Sequence, residues 1–409
     1  MPDKVVITGL GTINALGHNV KDTWQNIKNG VSGIGPITLF DTTDYLVKYA
    51  CEVKNFNPDD YMPFKEARRR DRFEQLAFVA AREALTHSGL QITEENAGRV
   101  GIIISAAIGG FETIQDAAFT IKESGPRKLS PYIIPKVMPN GAAGMIGIET
   151  GAKGPSFSVA SACASGADGI GTAWMMIRTG IMDAAIAGAA DATIIPIGVG
   201  SFDRLGAMTR QGNGVPQPFD RDRDGLVMGE GSAILILERE SHAKARGVEI
   251  LAELAGYAAT ADSFHVTAPA EDGSGGAAAM RIALETGGIN PDEVNYISAH
   301  GTATPLNDLS ETRAIKAAFG YLAYKIPVSS TKSMTGHMMG TTGALEAIFC
   351  TLAMRDNILP PTINYHTPDP ECDLDYIPNE ARETPVHIAI SNAFGFGGHN
   401  AVLVIRKYN

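Results

Sequence analysis

The sequence predicts an α/β fold built from two similar halves, and three observations carry that expectation. Short apolar runs ending in glycine or another small residue alternate with helix-length stretches, as strands of a largely covered sheet do. A similar succession of strand, small-residue turn and helix occurs once in each half of the chain. The length and composition also suit two cores: 409 residues, 44% hydrophobic and 19% charged, with 45 glycines and 7% aromatics.

The expected strands, in order, are residues 4–9 (KVVITG), 99–105 (RVGIIIS), 156–161 (SFSVAS), 183–188 (DAAIAG) and 232–238 (SAILILE). In the second half they are 294–299 (VNYISA), 326–330 (IPVSS), 387–391 (HIAIS) and 400–405 (NAVLVI). Helices are expected over 72–89, 167–180, 276–288 and 343–356. The repeat pairs SFSVAS and the helix after it with IPVSS and the helix after TKSMTGHMMGTTG; SAILILERE and NAVLVIRK close the two halves alike. The division falls near the charged run 238–250, giving halves of 1–250 and 251–409 with a catalytic site between them.

Composition narrows the function. A formal charge of -11 argues against nucleic-acid binding. The cysteines Cys51, Cys163, Cys350 and Cys372 form neither a disulfide framework nor a CxxC metal site, so a reducing, cytoplasmic setting is expected. The opening MPDKVVITGLG lacks the features of a signal peptide, and no run of about 18 apolar residues predicts a membrane span. GLGTINALG (9–17) begins like a dinucleotide loop, but Asn14 occupies the third glycine position; a tight strand-to-helix turn is the expectation there.

VASACASGAD (159–168) sets Cys163 among small residues between an expected strand and a glycine-rich helix. A helix N-terminus stabilises a thiolate, and small neighbours admit a thioester; on its own, the stretch fits a tightly packed core helix equally well. ISAHGTATPLND places His300 at a strand end, and SSTKSMTGHMMG places Lys332 and His337 in a strand-to-helix turn. A lone histidine is usually structural, but strand ends are where open α/β sheets carry chemistry. SNAFGFGGHNAV (391–402) sets Gly395, Gly397 and Gly398 between two strands, either as an ordinary hairpin or as a gate faced by Phe394 and Phe396. FKEARRRDR (64–72) and PRKL (126–129) concentrate positive charge, which in isolation reads as a solvated helix face.

Taken together, SACAS, AHGTATPLND, STKSMTGHMMGTTGALE and SNAFGFGGHN resemble, in order, the signatures of the β-ketoacyl-acyl-carrier-protein synthases, nearest to the elongating type II enzymes. PFDRDRDGLVMGEGSAILILE (218–238), HAKARG (242–247) and VVITGLGTINALG extend the likeness over essentially the whole chain. The resemblance implies a thiolase-like fold, two pseudo-symmetric halves in αβαβα layers, and a homodimer. It implies decarboxylative condensation of acyl and malonyl carrier proteins in fatty-acid elongation; a stand-alone ketosynthase of a polyketide or specialised lipid pathway is the alternative.

By the same resemblance, Cys163 is the nucleophile, His300 and His337 hold the enolate, and Lys332 orients the site. The N–H groups of Cys163 and Phe394 form the oxyanion hole. Thr302 and Thr304 bind the pantetheine arm, and Ile108, Phe202 and Phe394 line the acyl path. Asp262, His265 and Thr267 form a second gate loop opposite Gly395, Phe396, Gly397 and Gly398. Lys65, Arg68, Arg69, Arg127 and Lys128 dock the acidic acyl carrier protein. No metal or cofactor is expected, because the substrate brings its own phosphopantetheine. The chain departs from the family pattern at Asp168, where a neutral residue is common, at Ala303 in place of serine, and at Asp191 in place of glutamate.

Overall fold

A computed structural model describes residues 3–212 and 214–408. Ten strands form one mixed sheet: β1 (Val5–Asn14), β2 (Val100–Ser105), β3 (Ser156–Phe157), β4 (Ala184–Asp191), β5 (Gly231–Arg239), β6 (Ala252–Ala261), β7 (Tyr296–Ser298), β8 (Val328–Ser329), β9 (Ile388–Gly395) and β10 (His399–Arg406). The spatial order is β8-β7-β9-β10-β6-β1-β5-β4-β2-β3. Read outward from the centre, each side repeats the other. β1 and β6 start the two sets, followed by two antiparallel partners and then two parallel ones. The repeat expected from the sequence is therefore present as one topology used twice. The two sets also join by hydrogen bonds, with Val5–Ile7 of β1 antiparallel to residues 252–254 of β6.

Seven helices matter to the site: α1 (Arg72–Ser88), α2 (Phe111–Ser124), α3 (Ser165–Arg178), α4 (Pro196–Arg204), α5 (Ser274–Gly287), α6 (Pro305–Phe319) and α7 (Thr341–Asp356). α1 covers the first strand set, and α5 covers β6 and β10 of the second with α6 packed on it; α3 and α7 contact strands of both sets. This is the αβαβα layering. α7 is buried nearly all round, as a helix packed between the two strand sets must be. α1 starts on a capping box of Asp71 and Glu74 and ends at Gly89 with φ +63°.

Several elements differ from expectation for identifiable reasons. GLGTINALG is not a turn at its glycines: β1 runs through Gly9 and Gly11 to Asn14. A Cβ on Gly9 would stand 2.3 Å from the Ala84 carbonyl oxygen, and one on Gly11 2.0 Å from that of Ala80. The glycines let α1 lie directly on the strand. β3 keeps only two of its six expected residues, because the chain leaves the ladder after Phe157 to form the turn that carries Cys163. β7 and β8 are shorter than expected, and β6 was not expected at all. Among the described residues, no helix is long and apolar enough to cross a membrane.

Candidate active site

A cavity of about 360 Å³ is lined by residues from both halves of the chain, Cys163, His300 and His337 among them. Cys163 lies just before α3, two residues ahead of its first helical residue. The turn is sharp: Ala162 has φ +51°, the left-handed region that a residue with a Cβ rarely adopts. Ser165 fastens it, accepting the Ser161 N–H at 2.9 Å and donating its hydroxyl to the Ala162 carbonyl at 2.6 Å. Cys163 as a whole is 7% exposed. Burial pushes the Cys163 thiol up to about 12, and the Asp191 carboxylate adds to this. Lys332 and the N–H groups of Phe396 and Cys163 itself pull the other way. Desolvation thus outweighs the stabilisation that a helix N-terminus gives a thiolate, and the Cys163 side chain is held as a thiol.

His300 and His337 stand edge to face with ring centres 5.3 Å apart, each almost fully buried. Burial, Lys332 and His337 hold His300 well below the ordinary imidazole range. Burial and Lys332 hold His337 at about 3. Both rings are therefore neutral near pH 7, each with one N–H to donate. The Thr342 hydroxyl accepts the Met338 N–H at 3.0 Å and lies 3.2 Å from His337 Nδ1. Donating its own proton to Nδ1 leaves the His337 N–H on Nε2. Lys332 opens a single helical turn after β8 and donates to Glu346 Oε1 at 2.7 Å. Burial pushes the Glu346 carboxyl up against the pull of Lys332.

Two site-shaping acids escaped the sequence reading, both on α6. The Glu311 carboxylate accepts the His300 N–H at 2.8 Å, the Gly301 N–H at 2.7 Å and the Asn392 side chain at 3.0 Å. Asp308 accepts from Phe219 at 2.8 Å and from Ala303 at 3.2 Å, where Ala303 sits with φ +68°. Thr304-Pro305, a cap residue followed by Pro at the first helical position, was the available signal for that helix. Asp191, at the end of β4, accepts the Ala107 N–H at 3.0 Å, and burial pushes its carboxyl up to about 7.

The other expected residues separate into those at the cavity and those away from it. Thr302 and Thr304 share a 2.9 Å hydroxyl contact and line the cavity, as do Phe202, Phe394, Asp262 and Thr267. Gly395 and Phe396 line it too. Among the hairpin's N–H groups, it is that of Phe396, two residues beyond the expected Phe394, that pulls the Cys163 thiol down. Phe394 instead packs beside His300 at 5.8 Å, while Phe396 stacks on Phe202 at 6.3 Å. The two loops expected to form a gate are joined: Gly397 donates to the Val266 carbonyl at 2.7 Å, and Asp262 donates to that of Gly398 at 2.8 Å. His265 is exposed, its Nδ1 accepting the Thr267 and Ala268 N–H groups, and it does not line the cavity. Ile108 is half-buried outside this cavity, its N–H directed at Asp191.

Lys65, Arg68, Arg69, Arg127 and Lys128 are all exposed. Arg69 bonds Glu66 at 3.0 Å and lies 5.1 Å from the centre of the Tyr132 ring, drawing the two basic segments together. A separate cavity of about 500 Å³, lined by Arg68, Arg70, Arg72 and Lys136 among others, holds none of the residues around Cys163.

Residues 2–243 match the family model "Beta-ketoacyl synthase, N-terminal domain", and residues 251–366 match its C-terminal domain. The 3-oxoacyl-[acyl-carrier-protein] synthase 2 of Staphylococcus aureus (strain COL) is 47% identical over 407 residues, covering 99% of this chain and 98% of the relative. The protein of the same name from Synechocystis is 45% identical over 408 residues, with coverages of 99% and 98%. Among solved structures, a type II polyketide ketosynthase in complex with its acyl-carrier protein superposes with a TM-score of 0.93 at 34% identity. A β-ketoacyl synthase from Burkholderia phymatum superposes with a TM-score of 0.92 at 34% identity. Both likenesses cover 100% of each chain.

Proposed function

The chain belongs to the β-ketoacyl synthase family, and from that premise we propose how its residues divide the reaction. It is a condensing acyltransferase that joins acyl and malonyl thioesters of acyl carrier protein in fatty-acid-type elongation. Our reading is that Cys163 attacks the acyl thioester, its sulfur bonding the carbonyl carbon as the carrier thiol leaves with the proton. The N–H groups of Cys163 and Phe396 receive the oxyanion, moving the second donor from Phe394 to Phe396.

The malonyl carrier then loses its carboxylate as carbon dioxide. His300 and His337, neutral donors, stabilise the enolate oxygen, and the carbanion attacks the acyl-cysteine. Cys163 leaves and regains a proton, and the product is the 3-oxoacyl carrier. Lys332, paired with Glu346, sets the field around both histidines. Thr302 and Thr304 receive the pantetheine arm, and Phe396 against Phe202 forms the gate to the acyl path, with Ile108 deeper along it. The observation that carries this reading is one cavity lined by Cys163 from one half and both histidines from the other. The test offers acyl carrier protein alone and weighs the enzyme: one acyl group on Cys163 is expected, and an unmodified Cys163 would refute the reading.

The exposed basic group at residues 65–69 and 127–128 docks the acidic carrier. The two halves divide at 250/251, supported by the repeated strand order. The chain forms a homodimer through β3, an open sheet edge, and the exposed Ile114, Phe119, Ile121, Tyr132 and Ile134 offer further apolar surface for a second copy. Sedimentation of the purified chain at twice the monomer mass is the expected outcome.

A further inference from the structure

We infer that Asp168 is a positioning residue that holds the nucleophile turn in shape by clamping it to the opposite half of the molecule. This rests on the reading of Cys163 as nucleophile. Asp168 lies in the first turn of α3, and its side chain is almost fully buried. One carboxylate oxygen accepts the Ser161 hydroxyl and the other accepts the Tyr257 hydroxyl at 2.8 Å. Ser161 precedes Ala162, the residue with positive φ, and forms an isolated bridge with Cys163 across it. Tyr257 belongs to β6, in the second strand set.

The site of that phenol is built for it. A Cβ on Gly171 would stand 2.3 Å from the Tyr257 ring, so the ring lies directly on the glycine one turn along α3. Burial and the Asp168 charge both raise the Tyr257 phenol, which keeps its proton and remains a donor. Two donated hydroxyls match the acceptor-only character of a carboxylate. The gate hairpin packs against the same turn: a Cβ on Gly395 would stand 2.8 Å from the Ser161 carbonyl oxygen and 3.0 Å from the Cys163 nitrogen. The turn that aims the sulfur and the Cys163 N–H is thus tied by Asp168 and packed on by Gly395. Loss of the Asp168 clamp frees Ala162 to relax toward ordinary φ, which moves both.

The test separates the two half-reactions. In Asp168→Asn the shape is kept, but one hydroxyl meets an N–H₂ donor in place of an acceptor. Acylation of Cys163 by acyl carrier protein is expected to slow about tenfold, with thermal stability close to wild type. Malonyl decarboxylation, measured with and without Asp168→Asn in a Cys163→Gln background, is expected to stay within about twofold. Tyr257→Phe removes one hydroxyl and is expected to slow acylation about threefold; the double variant is expected to be no slower than Asp168→Asn alone. Acylation at the wild-type rate, or equal losses in both half-reactions, would overturn the inference. If Asp168→Asn fails to fold, Tyr257→Phe decides by the same split. A wild-type enzyme left unacylated at Cys163 would overturn the nucleophile reading itself, a result distinct from an acylated wild type with an equally fast Asp168→Asn.

Discussion

The turn between β3 and α3 carries Cys163; its counterpart between β8 and α7 carries Lys332 and His337. Both occupy the same place in the repeated topology, and both lead into a helix of the central layer. They are held differently. The second turn is knitted in by backbone: His337 donates to the Val227 carbonyl at 2.7 Å and accepts the Gly229 N–H at 2.9 Å. Its one charge, Lys332, is buried against Glu346. Each turn carries a non-glycine residue at positive φ, Ala162 at +51° and Met339 at +49°; the first is held by the side chains of Ser165 and Asp168, and the second takes one side-chain tie from Thr342. In the proposed reaction, the nucleophile that meets a thioester sits on a turn tied to the other half by the Asp168 carboxylate. The proposed neutral donors sit in a buried turn tied through its backbone to residues 227–229.

The contrast breaks most visibly at the sulfur. Cys163→Gln should lower condensation by at least about 10⁴-fold while malonyl decarboxylation persists, assayed by product and carbon dioxide release. Next comes the buried pair: Glu346→Ala should destabilise the fold by about 3–5 kcal/mol in denaturant titration, because Lys332 is left charged and unpaired. His337→Ala should cost about 10²–10³-fold in decarboxylation yet leave Cys163 acylation within about threefold, which single-turnover assays resolve.

The pH response sharpens the same division. His337 falls from 6.5 to about 3 on folding. As pH drops from about 6.5 toward 3, the unfolded chain binds a proton that the fold refuses, so the stability from this group is complete above that window and lost within it. Cys163 shifts the opposite way, from 9.0 to about 12. Its contribution is complete below about pH 9 and lost above it, and its alkylation by iodoacetamide should climb through pH 9 without a plateau. The smallest effect lies farthest from both turns. Arg68→Glu should raise the KM for acyl carrier protein about tenfold at low salt with kcat unchanged, and the difference should shrink at high salt.

The long, apolar strands were legible in the sequence because they alternate with clear helices. β6 was not: AELAGYAATA is rich in small residues, and its burial comes from α5 and β10 rather than from its own hydrophobicity. Cys163, His300 and His337 were legible through their motifs. Glu311 was hidden because its function is to hold backbone N–H groups of a loop ten residues upstream in the chain. FGFGG offers two phenylalanines at alternate positions, and only the hairpin geometry makes the Phe396 N–H the one that pulls the Cys163 thiol down. Asp168 stood out as unusual, but its partner Tyr257 lies 89 residues away.

The most direct measurement is the mass of His337→Ala after incubation with acyl carrier protein and then malonyl carrier protein. One acyl group should load onto Cys163 and remain there, with no 3-oxoacyl product, because the nucleophile turn works without the histidine turn. Failure of His337→Ala to load, or release of its acyl group as condensed product, would contradict the division of labour between the two turns.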